Sequence, residues 1–138
     1  MTDARAFLEY IKAAETSIQM KVQRMNSLRE RLTSLHVPID QEHVTHSKNV
    51  DIMGDTIALI RDMEQEIDQQ THELYLLKNK AYHLLDQIQP ESAHVLTVCY
   101  LERMSTSDLA KMLFVTQRQA QRKVKAALAE LQSVLDTG

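Results

Sequence analysis

The side chains best suited to chemistry lie close together near the carboxyl end of the chain, and they are cations and amides. Residues 118–125 hold four cationic side chains and no carboxylate, on a chain whose formal net charge is −3. Arginine and glutamine can pair with guanine and adenine edges in the major groove of DNA, and lysine and arginine bind phosphate. A local basic patch on a mildly acidic chain therefore indicates a surface that contacts phosphate. The four cations are Arg118, Arg122, Lys123 and Lys125.

A helix would place most of these polar side chains on one face. At about 100° per residue, with Ala120 set at zero, they fall between about 100° and 200°. Four apolar residues fall within about 80° of Ala120 and so form an inner face: Val124, Ala127, Leu128 and Leu131. The predicted outer face consists of Arg118, Gln121, Arg122 and Lys125.

Residues 105–128 have the composition of a helix-turn-helix. Ser105 and its two hydroxyl-bearing neighbours can cap a helix, and Asp108 suits the first turn of that helix. Ala110 supplies the small residue that two helices crossing at a steep angle need. We predict that this motif binds DNA through a recognition helix of about 116–128. Its parts are a helix over 107–113, a turn at Phe114–Val115 and a last helix capped by Thr116 and reaching about Leu135.

The same region carries a resemblance to a known family. The run YLERMS at 100–105, followed by DLAKML, V-T and RKVKAALAEL, resembles region four of bacterial sigma factors. It is more closely similar to small phage regulators of the ArpU and RinA type, which activate late genes. The segment HSKNVDIMGDTIALIRDMEQEID at 46–68 resembles the helical N-terminal part of that group, so the resemblance covers about 46–131. It implies a cytoplasmic, prophage-derived transcriptional regulator that binds double-stranded DNA. With the capping residue added, the candidate DNA-binding set is Thr116, Gln117, Arg118, Gln121, Arg122 and Lys125.

Two residues depart from the family pattern. Phe114 occupies the turn position where glycine is usual, and a residue with a Cβ disfavours a positive φ. Either the turn avoids that conformation, or Phe114 is strained and its ring covers the hairpin. Lys123 stands where the family has an apolar residue, and we expect Val124 to take its place in the core.

Long helices must position this motif. Apolar residues recur at steps of three and four over about 2–35 and again over about 51–88, which predicts two helices. Pro90 should terminate the second one, and Gly54 should lie in its frayed first turn. The stretch 36–50 loses the period and contains Pro38, which indicates a polar connector.

The predicted fold is therefore all-α. Two glycines and two prolines in 138 residues leave few turns, as long helices require. We expect an antiparallel, coiled-coil-like hairpin over 1–89, which oligomerises, and a small DNA-binding domain over 90–138. Two helices alone would leave much of both apolar stripes exposed, so we predict a homodimer through 1–89.

Other chemistry has little support in the sequence. His43 and His46 have no Cys or carboxylate that completes a metal site, and Cys99 fits a buried free thiol. We find no glycine-rich phosphate loop and no nucleophile with its base, so we expect no enzyme activity and no cofactor. The sequence offers no apolar run long enough for a membrane span and no secretion signal, which favours a cytoplasmic protein.

Two other functions remain open. Small terminase subunits, which package phage DNA, also combine a helix-turn-helix with a helical oligomerisation hairpin. Region four of sigma factors also touches RNA polymerase, so the chain could act through the polymerase with little DNA affinity of its own.

Overall fold

The computed structural model describes residues 3–34 and 43–137, with only the backbone given for 43–50. This part of the chain is all-α, as predicted, and consists of two long helices followed by shorter ones. The helix after Pro90 widens at its end into a π-helical turn over Thr97–Leu101, in which four consecutive residues are buried. The α-helices are α1 (Ala4–Ser34), α2 (His43–Leu85), α3 (Pro90–Leu96), α4 (Thr106–Leu113) and α5 (Gln117–Thr137).

The start of α2 differs from the one predicted from the sequence. The helix begins at His43, so the residues from 43 to 50 do not belong to a polar connector, while 36–42 lie outside the described residues. Adding residues to an existing helix costs little compared with nucleating one, so a helix can extend into a stretch without an apolar period. Gly54 consequently lies well inside α2, where a Cβ would meet nothing within 4 Å, rather than in a frayed first turn.

The chain divides into two compact units, one of residues 16–72 and one of residues 1–15 with 73–138. In the first unit, α1 and α2 pair along an apolar seam centred on Met25, Ile60 and Ile67. The two helices run antiparallel here. The predicted hairpin is thus confirmed, whereas the division of the chain into domains at residue 89 stays a prediction.

Ion pairs flank the seam of this first unit. The Lys21 ammonium, which interrupts the apolar series of α1, lies 2.7 Å from a carboxylate oxygen of Glu66 and 2.9 Å from the amide oxygen of Gln70. Farther along α1, Arg29 pairs with Glu64. The hydrogen bond from Lys21 lowers the pKa of the Glu66 carboxyl below its usual value.

The second unit has a more completely buried core. Its fully buried side chains come from the first turns of α1, from α3 and the π-helical turn, and from α4 and α5. Polar contacts reinforce it, because the Ala4 amide donates to the Gln132 side chain of α5 at 2.7 Å, and Glu15 of α1 pairs with Lys78 of α2 at 2.8 Å. The largest fully buried side chains are Leu8, Ile11, Val95, Leu96, Val98, Leu109 and Leu131.

Candidate nucleic-acid interface

The predicted helix-turn-helix is present, formed by α4, a short turn and α5. Ser105 caps α4, because its hydroxyl accepts a hydrogen bond from the Asp108 amide at 3.1 Å. At the other end, the Val115 amide donates to the Ala110 carbonyl at 3.0 Å and the Phe114 amide donates to the Lys111 carbonyl at 3.4 Å. This pair of bonds is a Schellman motif, which satisfies the last carbonyls of a helix and reverses the chain.

The start of α5 is held by a reciprocal pair of hydrogen bonds. The Gln119 amide donates to the Thr116 hydroxyl at 3.1 Å, and the Thr116 amide donates to the Gln119 side-chain oxygen at 2.9 Å. This capping box satisfies two donors that the helix leaves unpaired. The Thr116 cap was predicted from the sequence and the role of Gln119 was not, although Thr-x-x-Gln before a helix is a signal of this motif.

The inner face of α5 agrees with the helical-wheel prediction. Ala120, Ala127 and Leu131 are buried, and Leu109 and Ala110 of α4 are buried too. Small side chains let two helix backbones approach closely, which a steep crossing requires. The sequence of α5 therefore fixes which of its faces remains available to a ligand.

The available face carries the candidate binding residues. All six of them are exposed, including the four predicted for the outer face. The sequence contains no carboxylate from Leu109 to Ala129. Within the side chains that the structure describes, no ion pair neutralises Arg118, Arg122 or Lys125.

Lys123, the fourth cation of the basic patch, faces a different neighbour. Its ammonium lies 2.9 Å from the Glu91 carboxylate at the start of α3, and with Ala126 it lines a shallow groove beside Val95. The lysine stem thus covers apolar surface while its charge is paired, which explains how α5 tolerates a cation at this position. Val124 is only half-buried, so it takes the expected core role in part.

A second contact fixes α3 against α5. The Glu130 carboxylate accepts hydrogen bonds from the Gln89 amide at 2.7 Å and from the Ser92 hydroxyl at 2.6 Å. Glu130 therefore caps the first turn of α3 from a neighbouring helix. The Ser92 hydroxyl and then the Gln89 amide lower the pKa of the Glu130 carboxyl.

Phe114 resolves the alternatives left open by the sequence. Its φ of 56° and ψ of 43° lie in the left-handed region, so the turn keeps the conformation for which glycine is usual. For a residue with a Cβ this conformation costs about 1–2 kcal/mol. Phe114 is thus strained, as in the second alternative, but it is 94% exposed, so its ring does not pack on the hairpin as that alternative expected.

Lys111 is another exposed cation of the helix-turn-helix and was not among the residues predicted from the sequence. It is exposed on α4, the helix that precedes the turn. In helix-turn-helix proteins the first helix of the motif crosses the phosphate backbone, which is a place for a cation. The sequence could have indicated this residue, because Lys111 lies in the same carboxylate-free stretch as the first turns of α5.

Other kinds of site find no support in the described side chains. No group of three or more His, Cys, Asp or Glu residues among them could hold a metal ion. The side chains of His43 and His46 lie outside the described residues. Cys99 is buried, as predicted, and burial raises the pKa of its thiol above the usual value, which disfavours the reactive thiolate. None of the helices in residues 3–34 and 43–137 has the length and hydrophobicity of a membrane span.

No protein-family model, curated protein or solved structure matches this chain. The geometry of α4 and α5 is therefore the basis for assigning a function.

Proposed function

We propose that this protein is a transcriptional regulator that binds double-stranded DNA by placing residues 116–128, the cap and first turns of α5, in the major groove. The observation that carries the proposal is the exposed, carboxylate-free face of α5, which begins at a firmly capped helix end. A major groove about 12 Å wide admits one α-helix. The proposal includes the cytoplasmic setting and the prophage origin that the family resemblance implies.

Position along α5 suggests a role for each candidate residue. The first residues of a recognition helix reach the base edges, which assigns Gln117, Arg118 and Gln121 to the bases. Arg122 and Lys125 lie farther along the exposed face, where a helix leaving the groove passes the phosphates. Thr116 combines the helix cap with an exposed position at the same end of α5.

The proposal also includes self-association through residues 1–89. Large apolar side chains stay exposed on the long helices of each unit, and surfaces of this kind favour an interface. In the unit of residues 16–72 these are Met20, Ile52, Ile57 and Leu59. In the other unit they are Tyr10, Tyr75, Leu76 and Tyr82.

The test of DNA binding compares three proteins on fluorescently labelled duplexes over a series of salt concentrations. Arg118→Ala combined with Arg122→Ala should weaken binding and reduce the salt slope by about 0.9 for each phosphate that is no longer neutralised. Lys123→Ala is the matched control, since it removes one positive charge from the same helix on the side that faces α3. Equal affinity for the double variant and the parent would show that the assigned face is wrong.

The test of assembly is the mass of the particle by light scattering after gel filtration. A dimer is expected, because two hairpins can bury their exposed stripes as a four-helix bundle. A monomer at micromolar concentration would contradict the proposal. A ring of eight or more copies would instead favour a DNA-packaging subunit.

An intact polymerase interaction without a gel shift would favour a module that acts through RNA polymerase.

A further inference from the structure

Phe114 combines two features that are unfavourable for an isolated protein. Its backbone is left-handed, a conformation that glycine adopts without strain, and its ring is 94% exposed. A glycine would relieve the backbone and a polar residue would suit the solvent, so folding alone explains neither feature. Strained residues in well-determined turns cluster at ligand-contacting sites.

The surroundings of this ring indicate the chemistry of its partner. The Cα atom of Phe114 can lie no more than about 8 Å from that of Thr116 and about 11 Å from that of Gln117, given the spacing along the chain. The nearest exposed cations in sequence are Lys111 and Arg118, and the whole stretch 109–129 lacks a carboxylate. An apolar group bordered by cations and amides complements a polyanion that also displays apolar groups. In the major groove of DNA, that group is the C5 methyl of thymine.

We propose that Phe114 is a specificity-determining residue whose ring contacts a thymine methyl at the edge of the DNA site. The inference rests on the proposed function, because it needs α5 to enter the major groove. The ring would add a contact that the exposed face of α5 lacks. Arginine and glutamine recognise the hydrogen-bonding edges of bases and do not recognise the thymine methyl. The site should therefore contain a thymine beside the bases read by Gln117 and Arg118.

The experiment uses the full chain and duplexes that it selects from a pool with a randomised centre. In the best selected duplex each thymine is replaced in turn by uracil, which removes only the methyl. When the thymine that contacts Phe114 is replaced by uracil, the parent should bind about fourfold more weakly. This is the effect of losing one buried methyl group. Phe114→Gly should bind the thymine duplex about tenfold more weakly than the parent, since the variant lacks the buried ring surface. It should bind the uracil duplex as well as the thymine one.

Two measurements exclude misfolding as the cause. Phe114→Gly should raise the midpoint of thermal unfolding, because it relieves the left-handed backbone. Phe114→Asn, which also tolerates that conformation, should bind DNA like the glycine variant. Reduced DNA affinity in proteins that are at least as stable as the parent then reports the missing ring.

Each other outcome has a definite meaning. If Phe114→Gly binds as tightly as the parent, or keeps the uracil penalty, the ring does not read thymine and the inference is wrong while DNA binding stands. If Phe114→Gly changes the mass of the particle and leaves DNA affinity unaltered, the ring packs on a second copy and the inference is likewise wrong. If the parent selects no duplex at all, the proposed function is wrong, and the inference that rests on it is wrong as well.

Discussion

The two compact units of this protein differ in how completely they bury their apolar side chains. In the unit of residues 16–72, the seam residues Met25, Ile60 and Ile67 keep relative exposures of 7–9%. In the other unit, seven large core side chains, among them Leu8 and Leu131, have exposures of 0–1%. Two helices can cover only one side of each other, whereas a third and fourth element close a core. The second unit therefore has a core that needs no further element to cover it. The unit of residues 16–72, called the hairpin segment below, should gain more stability from packing against a second copy.

The two units also differ in how they use cations. Lys21 and Arg29 of the hairpin segment pair with carboxylates across the seam. Arg118, Arg122 and Lys125 of α5 make no ion pair with any side chain that the structure describes. The same residue types thus pair across two helices in the hairpin and remain available to an anionic ligand on the exposed face of α5, whereas Lys78 and Lys123 of the second unit are paired.

The largest expected effect distinguishes the two cores. Leu131→Ala should cost about 2–5 kcal/mol, because it leaves a cavity in a closed core. Ile67→Ala is the matched variant, and its cost should depend on protein concentration if a second copy covers the seam. Urea denaturation of both variants at several concentrations measures this. A concentration-independent destabilisation of similar size for both would remove the distinction between the units.

The next effect concerns the start of α5. Thr116→Ala should cost about 1 kcal/mol of stability, the usual value of a helix cap. It should also weaken DNA binding, because the first turn of the recognition helix frays. Gln119→Ala breaks the return bond only, and a cycle of the two substitutions isolates the capping box. Additive effects of the two changes would mean that the reciprocal bonds act independently.

A smaller effect should appear as a pH dependence in the contact between α3 and α5. The pKa of Glu130 is lowered in the folded state, so its contribution to stability is present above its usual pKa of 4.5 and disappears as the pH falls through the folded value. Glu130→Gln should therefore reduce stability near neutral pH and converge with the parent in acid. Thermal unfolding as a function of pH measures this. Ser92→Ala, which removes the hydroxyl donor, should change the profile in the same direction.

The smallest effect is expected in the hairpin. Arg29→Ala should change the free energy of unfolding by no more than about 0.5 kcal/mol, because both side chains of the Arg29–Glu64 pair are about half exposed to solvent. Denaturation in low and high salt measures it, and the difference should shrink as salt screens the pair. A cost above that of the Thr116 substitution would mean that the hairpin depends on its ion pairs more than on its seam.

Sequence patterns predicted local features well where one residue type has one clear role. Ser105 and Thr116 cap their helices, and Ala120 lies on the inner face. The start of α2 was misplaced, because residues 43–50 are helical although their sequence has no apolar period. The DNA-binding role of the six candidate residues stays a prediction.

The hydrophobic periodicity of the sequence could not predict which residues far apart in the chain contact each other. A heptad pattern identifies which face of α1 is apolar, but it does not say that Ala4 contacts Gln132 or that Lys123 turns toward Glu91. The conformation of Phe114 was also undetermined, since the strain of a left-handed residue and the gain of the Schellman bonds are of similar size.

The bond between Ala4 and Gln132 has a consequence for how the chain folds during synthesis. The two residues are 128 positions apart, so the unit that contains both cannot be completed until Gln132 has been made. At about 5–20 residues per second, the first helical turn waits about 6–26 s for its partner. Residues 16–72 contain their own seam and can pair earlier, so this unit should fold before the unit that contains α4 and α5.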